Sequence, residues 1–181
     1  MKAYILPTGN EILGGIVRDL DAPEIMRQIV AEWPDAEVTR VSPVVDEEDA
    51  IFRKICEAAE SGSDLIVLIG GSGGGHRFSK TLGRDFTHTA LVRYLDEYSA
   101  REIYGKNGHM WSKLVCGKKD NTLFINVPGP FQEAKAAMEA CISRMHEGAV
   151  VEDISRAMAQ AVFEKYPKGV ASFESPAVEN K

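Results

Sequence analysis

The chain has 181 residues, of which 44% are hydrophobic and 27% are charged, proportions typical of one globular domain and unlike those of a disordered chain. Its formal net charge of −6 argues against a protein that binds duplex nucleic acid. No apolar run approaches the ~18 residues of a membrane-spanning helix, and the first residues lack the apolar region of a signal peptide, so we expect a cytoplasmic protein with no membrane partner.

The first part of the chain alternates strand and helix patterns. Residues 2–6 form a short β-favouring segment that ends at a proline and a Thr-Gly turn. A helix is predicted to begin with Asp21 as its N-cap and to stop before Pro34. Residues 38–45 are predicted to form a second strand, and Asp46 follows it at the start of the next helix.

The strongest strand pattern lies near the middle of the chain. Leu65–Ile69 is an unbroken apolar run of five residues, which is typical of a strand buried on both faces of a parallel sheet. It leads directly into the glycine-rich segment 70–75. A helix is predicted from about Thr87, with Tyr98 on its apolar side, while residues 105–119 show no clear period.

The last third of the chain contains a strand pattern over residues 122–127, two amphipathic helices and, from Pro167, a polar tail. Buried strands that alternate with helices predict an α/β protein, a three-layer α/β/α sandwich with a mainly parallel sheet. We expect residues 1–148 to form this domain, residues 149–166 a C-terminal helix packed on it, and residues 167–181 the tail.

Three loops are predicted at the carboxyl ends of the strands, where ligands bind in such sheets: residues 8–15, 70–87 and 128–131. Consecutive glycines allow backbone amides to approach an anion closely. Residues 76–119 carry nine lysines and arginines against four acidic residues, a local charge of +5 in an acidic protein. These features predict a small anionic ligand; a flexible glycine-rich loop on a mixed charged surface is the alternative.

Two carboxylates stand next to these loops, Asp46 after the second predicted strand and Asp85 just before a predicted helix. Paired carboxylates at strand ends can hold Mg²⁺ beside nucleotide phosphates. The alternative is that each of them only caps the helix that follows it. His76, His88 and His109 have no zinc-ligand spacing.

Five motifs then occur in a fixed order along the chain. They are Thr8-Gly9-Asn10-Glu11-Ile12-Leu13 with Gly15, the lone Asp46, the run from Leu65 to Gly73, Arg84-Asp85-x-Thr87 with Ala90, and Val127-Pro128-Gly129-Pro130 with Glu133-Ala134. Together they resemble the molybdopterin-binding domain of molybdenum-cofactor biosynthesis. That family includes molybdopterin adenylyltransferases, molybdopterin molybdotransferases and the amino-terminal domain of competence-damage-inducible proteins. The resemblance covers about residues 3–145.

The resemblance implies a three-layer fold that assembles as a homotrimer, with Mg²⁺ as cofactor and with ATP and molybdopterin as substrates. Asp46 and Asp85 match the acidic positions of metal-assisted adenylyl transfer, so the resemblance makes them the catalytic and metal-binding residues. The implied ligand-binding residues are Thr8, Gly9, Glu11, Gly70, Gly71, Ser72, Gly73, Gly74, Thr87, Pro128, Gly129 and Pro130. The family's chemistry is transfer of AMP from Mg·ATP to the molybdopterin phosphate, or metal insertion into the adenylylated product.

The sequence departs from the family in several places. Ser72 replaces a threonine but keeps its hydroxyl, and Asn10 stands where the molybdotransferase-like branch has an aspartate. The loop between Gly73 and Asp85 is several residues longer than in the adenylyltransferases, and residues 108–112 lack the usual small side chains. We also expect a stand-alone domain without the extra domains of larger members. Two alternatives to adenylyl transfer therefore stay open: a non-catalytic protein that binds the pterin or another phosphorylated ligand, and a nucleotide pyrophosphatase of the competence-damage branch.

Overall fold

The central sheet has seven strands in the part of the chain that the structure, a computed structural model, describes: residues 1–73, 85–106 and 108–173. The strands are β1 (Lys2–Pro7), β2 (Glu37–Arg40), β3 (Leu65–Ile69), β4 (Tyr98–Gly105), β5 (Met110–Lys119), β6 (Thr122–Val127) and β7 (Ala171–Phe173). The helices are α1 (Asn10–Leu13), α2 (Asp21–Glu32), α3 (Glu48–Ala59), α4 (Thr87–Tyr94), α5 (Phe131–His146) and α6 (Val151–Phe163). Within these residues no helix is both long and apolar enough to cross a membrane.

The strand order is β2-β1-β3-β6-β5-β4-β7. The first four strands in this order pair in parallel, whereas β5, β4 and β7 continue the sheet through antiparallel pairs. Two successive antiparallel pairings turn β4 back to the direction of β6, so most strands of the described sheet point the same way. The prediction of a mainly parallel sheet is therefore confirmed.

Helices cover both faces of the sheet, as expected from β3, in which every residue is buried. Leu65, Val67 and Ile69 pack into one core together with α2, α5 and α6. Ile66 and Leu68 point to the opposite face and pack with α3 and α4. All five side chains are at most 4% exposed. The predicted three-layer α/β/α sandwich is confirmed.

The β4–β5 hairpin was not predicted from the sequence. Tyr98 begins β4 instead of lying on the preceding helix, and residues 110–119, which show no period, form β5. Polar groups of β5 are satisfied by residues on other strands: the side-chain amide of Asn126 accepts from Val115 N at 2.6 Å and donates to Lys113 O at 2.9 Å. Such long-range pairing leaves no periodic pattern in the sequence of β5 itself.

Two predicted boundaries also differ from the structure. The second strand ends at Arg40. In the rest of the predicted 38–45 segment, Val41 N donates to Ile5 O of β1, and Val44 forms an isolated bridge with Thr8. The predicted tail contributes a short strand, β7, at residues 171–173, because these residues pair antiparallel with β4. The remaining tail residues, 174–181, lie outside the described residues.

The start of α2 is one position away from the prediction. Leu20 is the N-cap residue, and the carboxylate of Asp19 accepts a hydrogen bond from Ala22 N at 2.9 Å. Asp21 is therefore not the cap. It is 9% exposed, and burial, followed by the nearby charge of Asp19, raises its pKa to about 7.

Candidate functional site

The ends of β1, β3 and β6 bring three loops together at one edge of the sheet. Thr8 N donates to Ile69 O at 2.8 Å, and Gly70 N donates to Val127 O at 3.0 Å. A Cβ atom on Gly129 would lie 3.8 Å from Gly70 Cα, so the Pro128-Gly129-Pro130 turn borders the glycine-rich loop. The loops that the sequence marked as candidates for ligand binding are thus neighbours in space.

Two buried threonine hydroxyls join the first loop to α4. Thr8 Oγ1 donates to Ile69 O at 2.9 Å and lies 2.8 Å from Thr87 Oγ1. Because the Thr8 proton is already used, the Thr87 hydroxyl donates to Thr8. Both side chains are at most 4% exposed. Their position beneath the loops gives them a role in holding the site together, and neither hydroxyl faces solvent.

The glycine-rich loop is anchored at its first residues by hydrogen bonds to two sides. Gly71 O accepts from Thr87 N at 3.2 Å, and Ser72 O accepts from Lys113 N at 2.6 Å. The backbone N–H of Gly73 donates to Asp85 Oδ2 at 2.7 Å. Neither Gly71 N nor Ser72 N donates to an acceptor in the described part of the chain. Gly74 lies outside the described residues.

We expect Gly71→Ala to destabilise the fold by about 3 kcal/mol, because the φ of +56° disfavours a side chain and the new Cβ would overlap the Thr87 hydroxyl. Gly62→Ala is the matched control: its φ is +66°, but nothing lies within 4 Å of a Cβ there. The control should lose only about 1 kcal/mol. Urea unfolding measures both, and equal losses would show that the contact with Thr87 is unimportant.

Asp46 lies in an electrostatically unfavourable position beside two other carboxylates. Its pKa is raised to about 6, first by burial, then by the charge of Asp85 and then by that of Glu11, while the Phe86 backbone amide lowers it. Its backbone N–H donates to the side chain of Asn10 at 3.2 Å. Asp46 Oδ1 is buried and has no hydrogen-bond partner within the described residues. A buried, unpaired carboxylate oxygen near further negative charge is an arrangement that a cation would stabilise.

Neither aspartate caps a helix, so the capping alternative from the sequence is wrong for both. The N-cap residues of α3 and α4 are Glu47 and Phe86, and neither helix has a side-chain capping bond. Asp85 instead accepts from Gly73 in the glycine-rich loop. Asp46 directly precedes the N-cap residue of α3, but its carboxylate accepts from the Phe86 amide just before α4. Asp46 and Asp85 thus bind the backbone at Phe86 and Gly73, and the charge of Asp85 raises the pKa of Asp46.

The residues present fit a magnesium ion held together with a phosphate. No three His, Cys, Asp or Glu side chains are grouped to share a metal in residues 1–73, 85–106 and 108–173. Mg²⁺, however, is commonly bound by one or two carboxylates, with substrate phosphates and water as its other ligands. Asp46 and Asp85 are the pair of hard oxygen donors that could hold such an ion, and Oδ1 of Asp46 has no hydrogen-bond partner among the described residues.

Several residues that contact the loop were missed at the sequence level. Lys113 N binds Ser72 O, and the hydroxyls of Ser112 and Ser72 lie 3.4 Å apart. His88 Nε2 lies 3.1 Å from Gly73 O. Lys113 and Ser112 belong to β5, which has no periodic signal in the sequence. Their contacts with the loop could be predicted only if that strand were recognised. His88 sits on the predicted α4, but no spacing rule points from it to Gly73.

The fold and the edge described above define a class: α/β domains that gather polar loops at the carboxyl ends of parallel strands, where such folds bind small ligands. More particularly, the chain belongs to the family described as "Probable molybdopterin binding domain", whose sequence model matches residues 4–147. No curated protein matches the chain.

Solved structures with the same fold carry related names. A MogA structure has a TM-score of 0.64 at 20% identity and covers 85% of this chain and 99% of its own. The molybdopterin biosynthesis enzyme MoaB from Thermus thermophilus has a TM-score of 0.60 at 23% identity, with 90% and 96% coverage. CinA from Thermoplasma acidophilum, described as of unknown function, has a TM-score of 0.59 at 19% identity, with 83% and 100% coverage. At these identities the likeness establishes the fold.

Proposed function

We propose that this protein binds molybdopterin and transfers AMP from Mg·ATP to the molybdopterin phosphate. The observation that carries the proposal is the meeting of Asp46, Asp85 and the glycine-rich loop at one edge of the sheet. Membership of the molybdopterin-binding family supports the choice of ligand. The acidic pair supports a reaction at a Mg²⁺-bound nucleotide, because pterin binding by itself requires no cation site.

In this reaction an oxygen of the molybdopterin phosphate attacks the α-phosphorus of ATP. A new P–O bond forms, the bond from the α-phosphorus to the bridging oxygen breaks, and pyrophosphate leaves with the electron pair. The N–H groups of Gly71 and Ser72 bind phosphate oxygens, and Asp46 and Asp85 hold Mg²⁺. When bound, Mg²⁺ neutralises charge on the phosphates as the transition state forms. The protein's contribution is therefore the positioning of two phosphates and the supply of the carboxylates that would hold the cation.

The direct test incubates the purified protein with molybdopterin and ATP labelled in the α-phosphate. The expected result is a labelled adenylylated pterin and one pyrophosphate released per transfer, with both lost when EDTA removes Mg²⁺. Binding of molybdopterin without transfer of label would overturn the catalytic proposal and leave a binding protein. Hydrolysis of the pyrophosphate bond of a free dinucleotide would favour a pyrophosphatase instead.

A non-catalytic protein that binds a phosphorylated ligand is the second candidate, and one observation favours it. Asn10 contributes an amide beside Asp46 where the related branch has a carboxylate. Asn10→Asp separates the candidates. A true magnesium site should bind the cation at least as tightly with the added charge, whereas a site evolved without a metal should only lose stability through repulsion with Asp46.

We also propose that the protein assembles as a homotrimer. Exposed apolar side chains next to the site support an interface there: Leu13, Ile16, Val17 and Leu20 are 47%, 82%, 48% and 60% exposed. Burial of this segment between copies would remove its apolar surface from water. Light scattering at micromolar concentration should give three times the chain mass, and Ile16→Glu should lower that mass. A monomer mass for the wild-type protein would contradict the proposal.

A further inference from the structure

His88 holds the last described residue of the glycine-rich loop from the side of α4. Its Nε2 atom lies 3.1 Å from Gly73 O, and the same glycine donates its N–H to Asp85. Both backbone polar groups of Gly73 are therefore bound by side chains: the N–H by Asp85, two residues before α4, and the carbonyl by His88, in its first turn. His88 is 7% exposed, so this contact is made inside the protein.

The hydrogen bond fixes which ring nitrogen carries the proton. A carbonyl oxygen only accepts, so Nε2 must donate, and in a neutral ring Nδ1 is then a bare acceptor. Nδ1 is buried and has no hydrogen-bond partner in the described residues. Such an orphaned acceptor is unfavourable for folding. An apolar side chain of similar size would avoid this penalty but would remove the donor from Gly73 O, so the contact with Gly73 is what the ring provides here.

The surroundings keep the ring neutral near pH 7. Burial lowers the pKa of His88 and so does the charge of Lys113, while the bond to Gly73 and the carboxylates of Asp85 and Glu102 raise it by less. Glu102 is itself engaged, because it accepts from Lys113 Nζ at 2.7 Å and from the Tyr104 hydroxyl at 2.5 Å. Among the described residues, the hydrogen bond that His88 makes is the one to Gly73.

We propose that His88 is a positioning residue for phosphate binding at this site. By donating to the Gly73 carbonyl it holds in place the residue whose N–H binds Asp85. The Asp85 carboxylate, proposed to hold Mg²⁺ beside the phosphates, then stays fixed against the loop. This inference rests on the proposed binding of phosphate by the loop, and it adds a residue that the family motifs quoted above assign no role.

Two isosteric substitutions separate positioning from packing. In His88→Gln the side-chain N–H₂ takes the place of Nε2 and still reaches Gly73 O. In His88→Asn the amide takes the place of Nδ1, so its N–H₂ is too far away to reach Gly73 O. We expect the glutamine variant to bind Mg·ATP with nearly wild-type affinity. The asparagine variant should bind about tenfold more weakly, as expected for the loss of one hydrogen bond that orients the site.

The experiment measures Mg·ATP affinity by calorimetry and melting temperature for wild type and both variants. Rescue by glutamine but not by asparagine, at similar melting temperatures, supports the proposal. Equal affinity of the two variants overturns the positioning role alone. Absence of Mg·ATP binding by the wild type overturns the proposed function and this role with it. If the asparagine variant melts below the assay temperature, His88→Leu is measured in its place. A leucine variant that binds Mg·ATP as tightly as the wild type would then contradict the proposal.

Discussion

Asp85→Asn is expected to reduce Mg²⁺-dependent AMP transfer by at least about a hundredfold, because it removes one of two carboxylates proposed to hold the cation. The fold should hardly change. The Asn side-chain oxygen still accepts the Gly73 N–H that now binds Asp85 Oδ2 at 2.7 Å. Thermal unfolding should stay within about 1 kcal/mol of wild type. Asp85 should be the more sensitive of the two aspartates, since it contacts the glycine-rich loop directly.

The matched control for this prediction is Asp96→Asn. Asp96 lies in the same basic stretch, its side chain is 86% exposed, and it pairs with Lys119 at 3.3 Å. The control removes the same charge without touching the loop, and it should leave AMP transfer unchanged. Wild-type nucleotide binding and turnover in Asp85→Asn would refute the catalytic role and leave Asp85 as an anchor for Gly73.

Asp46→Asn should weaken Mg·ATP binding and at the same time stabilise the protein at neutral pH. The pKa of Asp46 is about 6 in the fold against 3.8 for an ordinary aspartate, so the folded state holds its proton more tightly than the unfolded state does. Stability of the wild type therefore falls as pH rises from about 4 to about 6, and the cost persists above pH 6. An uncharged asparagine avoids this cost.

The expected gain at pH 7.5 is about 1 kcal/mol after allowing for the partial solvent exposure of the side chain, which corresponds to about 2–4 °C in melting temperature. Below about pH 4 wild-type Asp46 is protonated in both states, so the gain should vanish. Calorimetric melting at pH 7.5 and at pH 4, with Mg·ATP titration at pH 7.5, measures both effects. Higher stability with unchanged Mg·ATP affinity would argue against a cation at Asp46.

The sequence by itself determined the elements whose signal is local. The apolar run Leu65–Ile69 predicts a strand buried on both faces, because each of its side chains meets one core or the other. The amphipathic pattern of α5 and the proline-glycine turn before it are equally local. In a fold of alternating strands and helices, loops gather at the carboxyl ends of the parallel strands. The proximity of Thr8, Gly70 and Pro128 can therefore be predicted from the sequence.

The tertiary structure alone decided what depends on partners distant in the chain. β5 mixes buried and polar residues. Its Lys113 side chain pairs with Glu102 on β4, and its Ser112 hydroxyl lies beside that of Ser72 in the glycine-rich loop. Asp46 and Asp85 each precede a helix in the sequence, so capping and a shared site were equally compatible with their position. The structure excludes capping, because neither α3 nor α4 has a side-chain capping bond, while a shared cation site at the two aspartates stays a proposal. Hydrophobic periodicity can be read from neighbouring residues in the sequence. A hydrogen bond between a side chain and a distant part of the backbone forms only when the folded sheet brings the two segments together.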